Sequence, residues 1–203
     1  MSYVNPLHAP IQNNAKSGFS SLAGAFPASA GGAPVSDKRR RLAQTIYYPS
    51  AKWQNATKRS PASAPITFDY RGRKGYGVSM TDLSARSIPN IMSLVENADE
   101  KVLVSSGHTK ITFRIMWPGY DSGSEWVRSI DVRAPEGPFT RAQLGQAVAQ
   151  NFSRYVEKHR NQPCSVPDSR IADNNIRFEH LVLVSLHNTF DDSWQAEVVI
   201  DFK

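Results

Sequence analysis

Pro138–Asn161 reads PFTRAQLGQAVAQNFSRYVEKHRN, and this stretch decides the fold. Thr140 stands where an N-cap belongs, and Gln143, three residues on, completes a T-x-x-Q capping box. Leu144, Val148, Phe152 and the pair Tyr155/Val156 recur at three- and four-residue steps, which makes one apolar stripe on a helix. Lys158, His159 and Arg160 place positive charge in the last turn, where the helix dipole favours it. β-like segments lie on both sides, so the spacing predicts a helix packed across a sheet.

The strands are read from alternation. Ile66, Phe68 and Tyr70 alternate and make a first strand. Thr81–Glu96 carries a cap and clustered apolar residues, and predicts a short helix. Val102–Ser105 and Lys110–Trp117 suggest a hairpin around Gly107, the second arm alternating Ile111, Phe113, Ile115 and Trp117 with polar neighbours. Glu125–Arg133 puts Trp126, Ile130 and Val132 on one face. Arg128 shares that face, which places it near an edge or with its stem packed and its head in water. Beyond the helix, Arg177–Asn188 is a dense apolar run, as expected of a strand buried on both faces. Trp194, Ala196, Val198, Ile200 and Phe202 then alternate to close a terminal hairpin whose inward face would meet Leu144, Val148 and Phe152. The fold expected is α+β: an antiparallel sheet of about five to six strands packed by one long helix, over residues 65–203.

Residues 1–64 are expected to be a disordered basic arm. Met1–Val35 is rich in Ala, Gly, Ser, Pro and Asn, with Lys16 its one charged residue, too little apolar surface to offset the entropy of ordering. The net charge of +6 is unevenly spread: Met1–Gly75 carries 11 Lys and Arg against 2 Asp and Glu, whereas Tyr76–Lys203 carries 13 against 16. A basic tail on a mildly acidic body suits nucleic acid, an anionic surface or an import receptor, and equally a solvated tail. Lys38, Arg39, Arg40 and Arg41 form the tightest cluster, with Lys58 and Arg59 following. Arg71, Arg73 and Lys74 sit in the glycine-containing turn Arg71–Gly77, whose backbone N–H groups could cradle a phosphate, although no P-loop or dinucleotide fingerprint is present. These cations, interleaved with Tyr47, Tyr48, Trp53, Phe68, Tyr70 and Tyr76, also fit a single-strand nucleic-acid track, against burial of the aromatics in the core.

Three pieces, Trp117–Tyr120 (WPGY), Thr140–Leu144 (TRAQL) and Ser193–Gln195 (SWQ), together with Gly77–Met80 (GVSM), are spread over Ile66–Phe202. In order and rough spacing they resemble a family of uncharacterised α+β proteins from mushroom-forming fungi. FTRAQL departs from the aliphatic-led form expected there. The resemblance implies a domain boundary near Pro65 and carries no known activity.

For chemistry the sequence offers little. One cysteine, Cys164, excludes an internal disulfide and a multi-cysteine metal site. His8, His108, His159, His180 and His187 include no helical i, i+4 metal pair, and neither HExxH nor G-x-S-x-G occurs. No cofactor or metal is expected, and an enzyme would need a site assembled from distant residues. The first function expected is a non-enzymatic binding or scaffold module that recognises a macromolecular partner, most simply a protein. Trp117, Tyr120, Trp126, Arg141, Arg154 and Lys158 are its candidate contact surface, although core packing competes for the aromatics. The alternative is a nucleic-acid binder using the basic arm. No span is apolar enough for a membrane and no secretory pattern opens the chain, so a nuclear or cytoplasmic, non-secreted protein is expected.

Overall fold

The structure, a computed structural model, describes residues 36, 38–49, 63–104, 106–120 and 126–202. Its strands are β1 (Arg39–Arg41), β2 (Ile66–Thr67), β3 (Val78–Ser79), β4 (Lys110–Ile115), β5 (Trp126–Asp131), β6 (Arg133–Ala134), β7 (Gly137–Pro138), β8 (Leu181–Phe190) and β9 (Ser193–Asp201). Its helices are α1 (Met80–Ala85), α2 (Ile88–Leu94) and α3 (Arg141–His159). Seven strands form one sheet, in which β2 and β3 cover one side of β8 and β1 and β4 share the far side of β9, with β5 outermost beyond β4. Strands β6 and β7 make a separate small hairpin.

The fold is thus α+β with a mostly antiparallel sheet, of seven strands where five to six were expected, and it differs from expectation in other features too. One junction, β4 with β9, is parallel, in register Thr112↔Ser193 to Arg114↔Gln195. Adjacent alternating strands had suggested hairpins throughout, but β4 returns through β5, α3 and β8 before β9 reaches it, a crossover that permits parallel pairing. Val102 to Val104 therefore forms no strand against β4, and Leu103 adopts a left-handed backbone (φ 61°). The helical layer also holds more than one helix, because α1 and α2 both lie against α3.

Helix α3 starts as its sequence dictates. The Thr140 hydroxyl accepts the Gln143 N–H (3.2 Å), and the Gln143 side-chain oxygen accepts the Thr140 N–H (2.8 Å). Leu144, Val148, Phe152, Tyr155 and Val156 are all buried, in one cluster with Trp194, Ala196, Val198 and Ile200. Phe152 meets Phe113 of β4 edge-to-face at 5.9 Å, as aromatic quadrupoles prefer. The last turn differs from its reading as a cationic terminus. His159 is buried, its Nδ1 lies 2.9 Å from the Tyr155 carbonyl, and burial lowers its pKa, so the ring serves packing more than the dipole.

Strand β8 is buried over nine of its ten residues, as its unbroken apolar run requires. A register shift between Leu183 and Ser185 moves the alternation by one place. Leu181, Leu183 and Leu186 face the helices as a result, while Val182, Val184 and Val199 form a second cluster.

The basic arm needs the largest correction. Residues 38–49 belong to the folded body. Arg39, Arg40 and Arg41 pair antiparallel with Asp201, Ile200 and Val199, Leu42 N–H reaches the Val198 carbonyl (2.8 Å), and Leu42 is 2% exposed. Alternation could not signal this strand, because its residues are three arginines whose burial is made tolerable by partners far along the chain. The boundary expected near Pro65 therefore falls inside the unit. Met1–Val35, Lys58 and Arg59 lie outside the described residues.

Candidate functional site

The strap of residues 38–47 runs alongside β9, tied to it by a polar network that spacing alone could not reveal. Arg39 pairs with Asp201 (2.8 Å) and Arg41 with Glu197 (3.2 Å), all four side chains at most one-fifth exposed. Arg39 also donates to the Tyr76 carbonyl, and Arg40 to the Asp168 carbonyl. Further along, Gln44 donates to the Ala196 carbonyl (2.7 Å), and Gln195 both accepts the Tyr47 N–H (2.7 Å) and donates to the Thr45 carbonyl (2.9 Å). The Arg114 guanidinium sits 3.6 Å from the centre of the Tyr47 ring. Of the four clustered cations, Lys38 alone is exposed.

On the other side of β9 from the strap, Ser185 Oγ donates to Glu197 (2.8 Å) and lies 2.7 Å from His187 Nε2, with the Glu197 carboxylate 3.6 Å from that same nitrogen. Burial pushes the Glu197 pKa up, but His187, Ser185 and the Arg41 guanidinium outweigh it and hold the carboxyl below its usual range. Serine, histidine and glutamate suggest a hydrolytic triad by composition. The geometry is different: in a triad the acid and the hydroxyl address opposite ring nitrogens, whereas here both lie at Nε2. Ser185 is also fully buried. This cluster fastens β1 to the sheet.

The glycine turn is likewise turned inward. Asp69 Oδ1 accepts the N–H groups of Gly75 (2.8 Å) and Gly77 (3.1 Å), so the backbone donors that might have cradled a phosphate close on the chain's own carboxylate. Arg71, Arg73 and Lys74 are exposed on the turn's outer side, Arg71 reaching the Met92 carbonyl. Beside it opens a cleft of about 590 Å³ lined by Asp69, Lys74, Glu96 and Arg141 among others. Arg141 is no free contact residue there. Its guanidinium donates to the Thr67 and Asn97 carbonyls and pairs with Glu100, clamping β2 and the α2–β4 connection to the start of α3.

Of the aromatic candidates, Trp117 and Tyr120 are core. Trp117 stacks on Tyr155 (5.6 Å, 26°) and donates its indole N–H to the Ser169 carbonyl, and the Tyr120 hydroxyl accepts the Ile171 N–H (2.8 Å). Burial raises the Tyr120 pKa. Trp126 is buried as well, its N–H on Asn151 Oδ1 (3.3 Å) and its ring edge-to-face with Tyr155, yet cations cover its outer side. The Arg128 guanidinium lies 4.3 Å from the indole centre and Lys158 Nζ 5.8 Å. Arg154, one turn before Lys158, is exposed, as are Arg128 and Lys158. No described residue forms an ion pair with any of the three. The structure thus brings Trp126 and Lys158 together, adds Arg128, leaves Arg154 exposed one turn before Lys158, buries Trp117 and Tyr120, and commits Arg141 to intramolecular partners.

Among the described residues no helix is long and apolar enough to cross a membrane, and no group of three or more His, Cys, Asp or Glu is placed to hold a metal ion. No protein-family model, no curated protein and no solved structure matches the chain.

Proposed function

We propose that the chain is a non-enzymatic binding module that recognises a protein partner through the face formed by the C-terminal half of α3 and strand β5. One observation carries this reading: Arg128 and Lys158 stand exposed over a buried Trp126, with Arg154 exposed one turn before Lys158, and none of the three has an ion-pair partner among the described residues. Exposed cations grouped on a rigid helix and strand complement an acidic partner and steer its approach. An arginine and a lysine resting on an indole are also held partly ordered before contact, which lowers the entropy lost on binding.

The test is co-purification with the wild-type chain against an Arg154→Glu/Lys158→Glu variant whose thermal midpoint is unchanged. A partner held by the wild type and lost by the variant supports the reading. A partner held equally by both contradicts it. Binding of single- or double-stranded nucleic acid with a steep salt dependence, abolished by substitutions at Lys38, Arg73 and Lys74, would instead favour the phosphate-contact alternative.

A further inference from the structure

Strand β5 ends the sheet, and the register shows which of its backbone groups face outward. Val132 N–H bonds to the Thr109 carbonyl (2.9 Å), in line with the pairs Ile111↔Ile130, Phe113↔Arg128 and Ile115↔Trp126. Thr112 N–H turns the other way, to the Asp192 carbonyl. Trp126, Arg128 and Ile130 therefore bond to β4, while Val127, Ser129 and Asp131 direct their N–H and C=O groups outward. No described strand pairs with that edge. The Val127 carbonyl accepts instead from the Arg128 guanidinium of its own strand (2.9 Å).

We infer that this edge accepts an added strand from the protein partner, an extended segment with acidic side chains at alternate positions. The inference rests on the contact face proposed above and specifies its partner. Arg128 lies opposite Phe113, whose ring meets Phe152, so it stands on the α3 side of the sheet. An added strand sends every second side chain to that same side, where Arg128, Lys158 and Arg154 await negative charge. The outward backbone groups supply affinity independent of sequence, and the cations select the pattern.

Other occupants meet the charge less well. A second copy paired about a dyad would bring its own Arg128, Arg154 and Lys158 to the junction, setting like charges together. Residues 1–35 hold Lys16 as their one charged residue and supply no carboxylate.

The probe is a fluorescein-labelled nonapeptide alternating Glu with Val, titrated into the full-length chain by anisotropy. Two control peptides replace every Glu by Lys or every Val by Pro. Binding of the Glu peptide alone is expected, weakened about tenfold by Arg154→Glu/Lys158→Glu. Ser129→Pro removes an outward N–H while leaving the ladder to β4 intact, and is expected to cost about fivefold, the net worth of one hydrogen bond. Bound peptide should also slow exchange of the Val127, Ser129 and Asp131 amides. If the charge variant weakens binding while neither Ser129→Pro nor the proline peptide does, the cationic face stands and strand addition falls. If the charge variant has no effect, or the Glu peptide fails to bind at about 1 mM, a very weak affinity, the added acidic strand is overturned. Self-association abolished by Ser129→Pro would make a second copy the occupant and overturn it too.

Discussion

Glu197→Gln is the substitution that most sharply tests how the arginine strap is held. The carboxylate faces the Arg41 guanidinium at 3.2 Å and accepts from Ser185 at 2.8 Å, with the Glu197 and Arg41 side chains 13% and 18% exposed. Glutamine keeps the volume and can still accept from Ser185, so the change removes charge and little else. What remains is a mostly buried guanidinium whose Nε already lacks a hydrogen-bond partner. Breaking a fully buried ion pair from one side costs about 3–5 kcal/mol, and the residual exposure here brings the expectation to about 2–3 kcal/mol. Arg41→Met fills the stem's space without charge, and the double variant should lose far less than the sum of the two singles. A coupling of about 1–2 kcal/mol between them is expected for contacting residues. The assay is urea unfolding of all four proteins followed by tryptophan fluorescence, compared by midpoint at constant m-value. A Glu197→Gln loss below about 0.5 kcal/mol, the range of ordinary surface changes, would refute the buried pairing. So would strict additivity in the double variant.

Other expectations follow from single features. Because the folded pKa of Glu197 is depressed, its stabilising contribution is present above the ordinary glutamate range and is lost as pH falls through the depressed value. Acid should therefore release the strap, seen as faster exchange of the Leu42 amide, and Glu197→Gln should remove that pH dependence. Tyr70, half-buried and donating to Asp82 (2.5 Å), has its pKa pushed up to about 12 by that desolvation and the Asp82 bond. Its stabilising contribution is complete below the ordinary tyrosine pKa and is lost as pH rises through the raised one, so Tyr70→Phe should reduce the late-titrating tyrosine absorbance at high pH. Thr140→Ala breaks the capping box and should cost about 1 kcal/mol in the same urea assay. Gly77 has φ 77°, and a Cβ there would come within 2.7 Å of the Leu183 carbonyl and the Val182 side chain. Gly77→Ala should thus cost well over the roughly 1 kcal/mol that backbone strain alone carries.

Periodicity served well wherever apolar residues carried the structure. The stripe from Leu144 to Val156, the capping box at Thr140, the two-sided burial of β8 and the edge position implied by Arg128 were all legible, because each is a local pattern with one physical reading. Partnership across the chain was hidden. Arg39–Arg41 has the composition of a solvated run, and only Glu197 and Asp201, over 150 positions away, make it a strand. Trp117 and Tyr120 were ambiguous for a related reason: an aromatic at a strand's end packs or protrudes according to what α3 and the loop after it place there. The Arg71–Gly77 turn looked open to an anion until Asp69, two residues before it, took its donors. The cation group around Trp126 drew on β5 and α3 together, so sequence named three of its members but not their company with Arg128.

Arg39, Arg40 and Arg41 belong to the folded body and are tied to the sheet, whereas Arg128, Arg154 and Lys158 stand exposed on β5 and α3. Native-state hydrogen exchange of the full-length protein measures this at one amide, Leu42 N–H, bonded to the Val198 carbonyl. Protection comparable to that of β8 and β9 is predicted. Exchange at the rate of an unstructured chain would contradict the account and return the arginine cluster to a solvated arm.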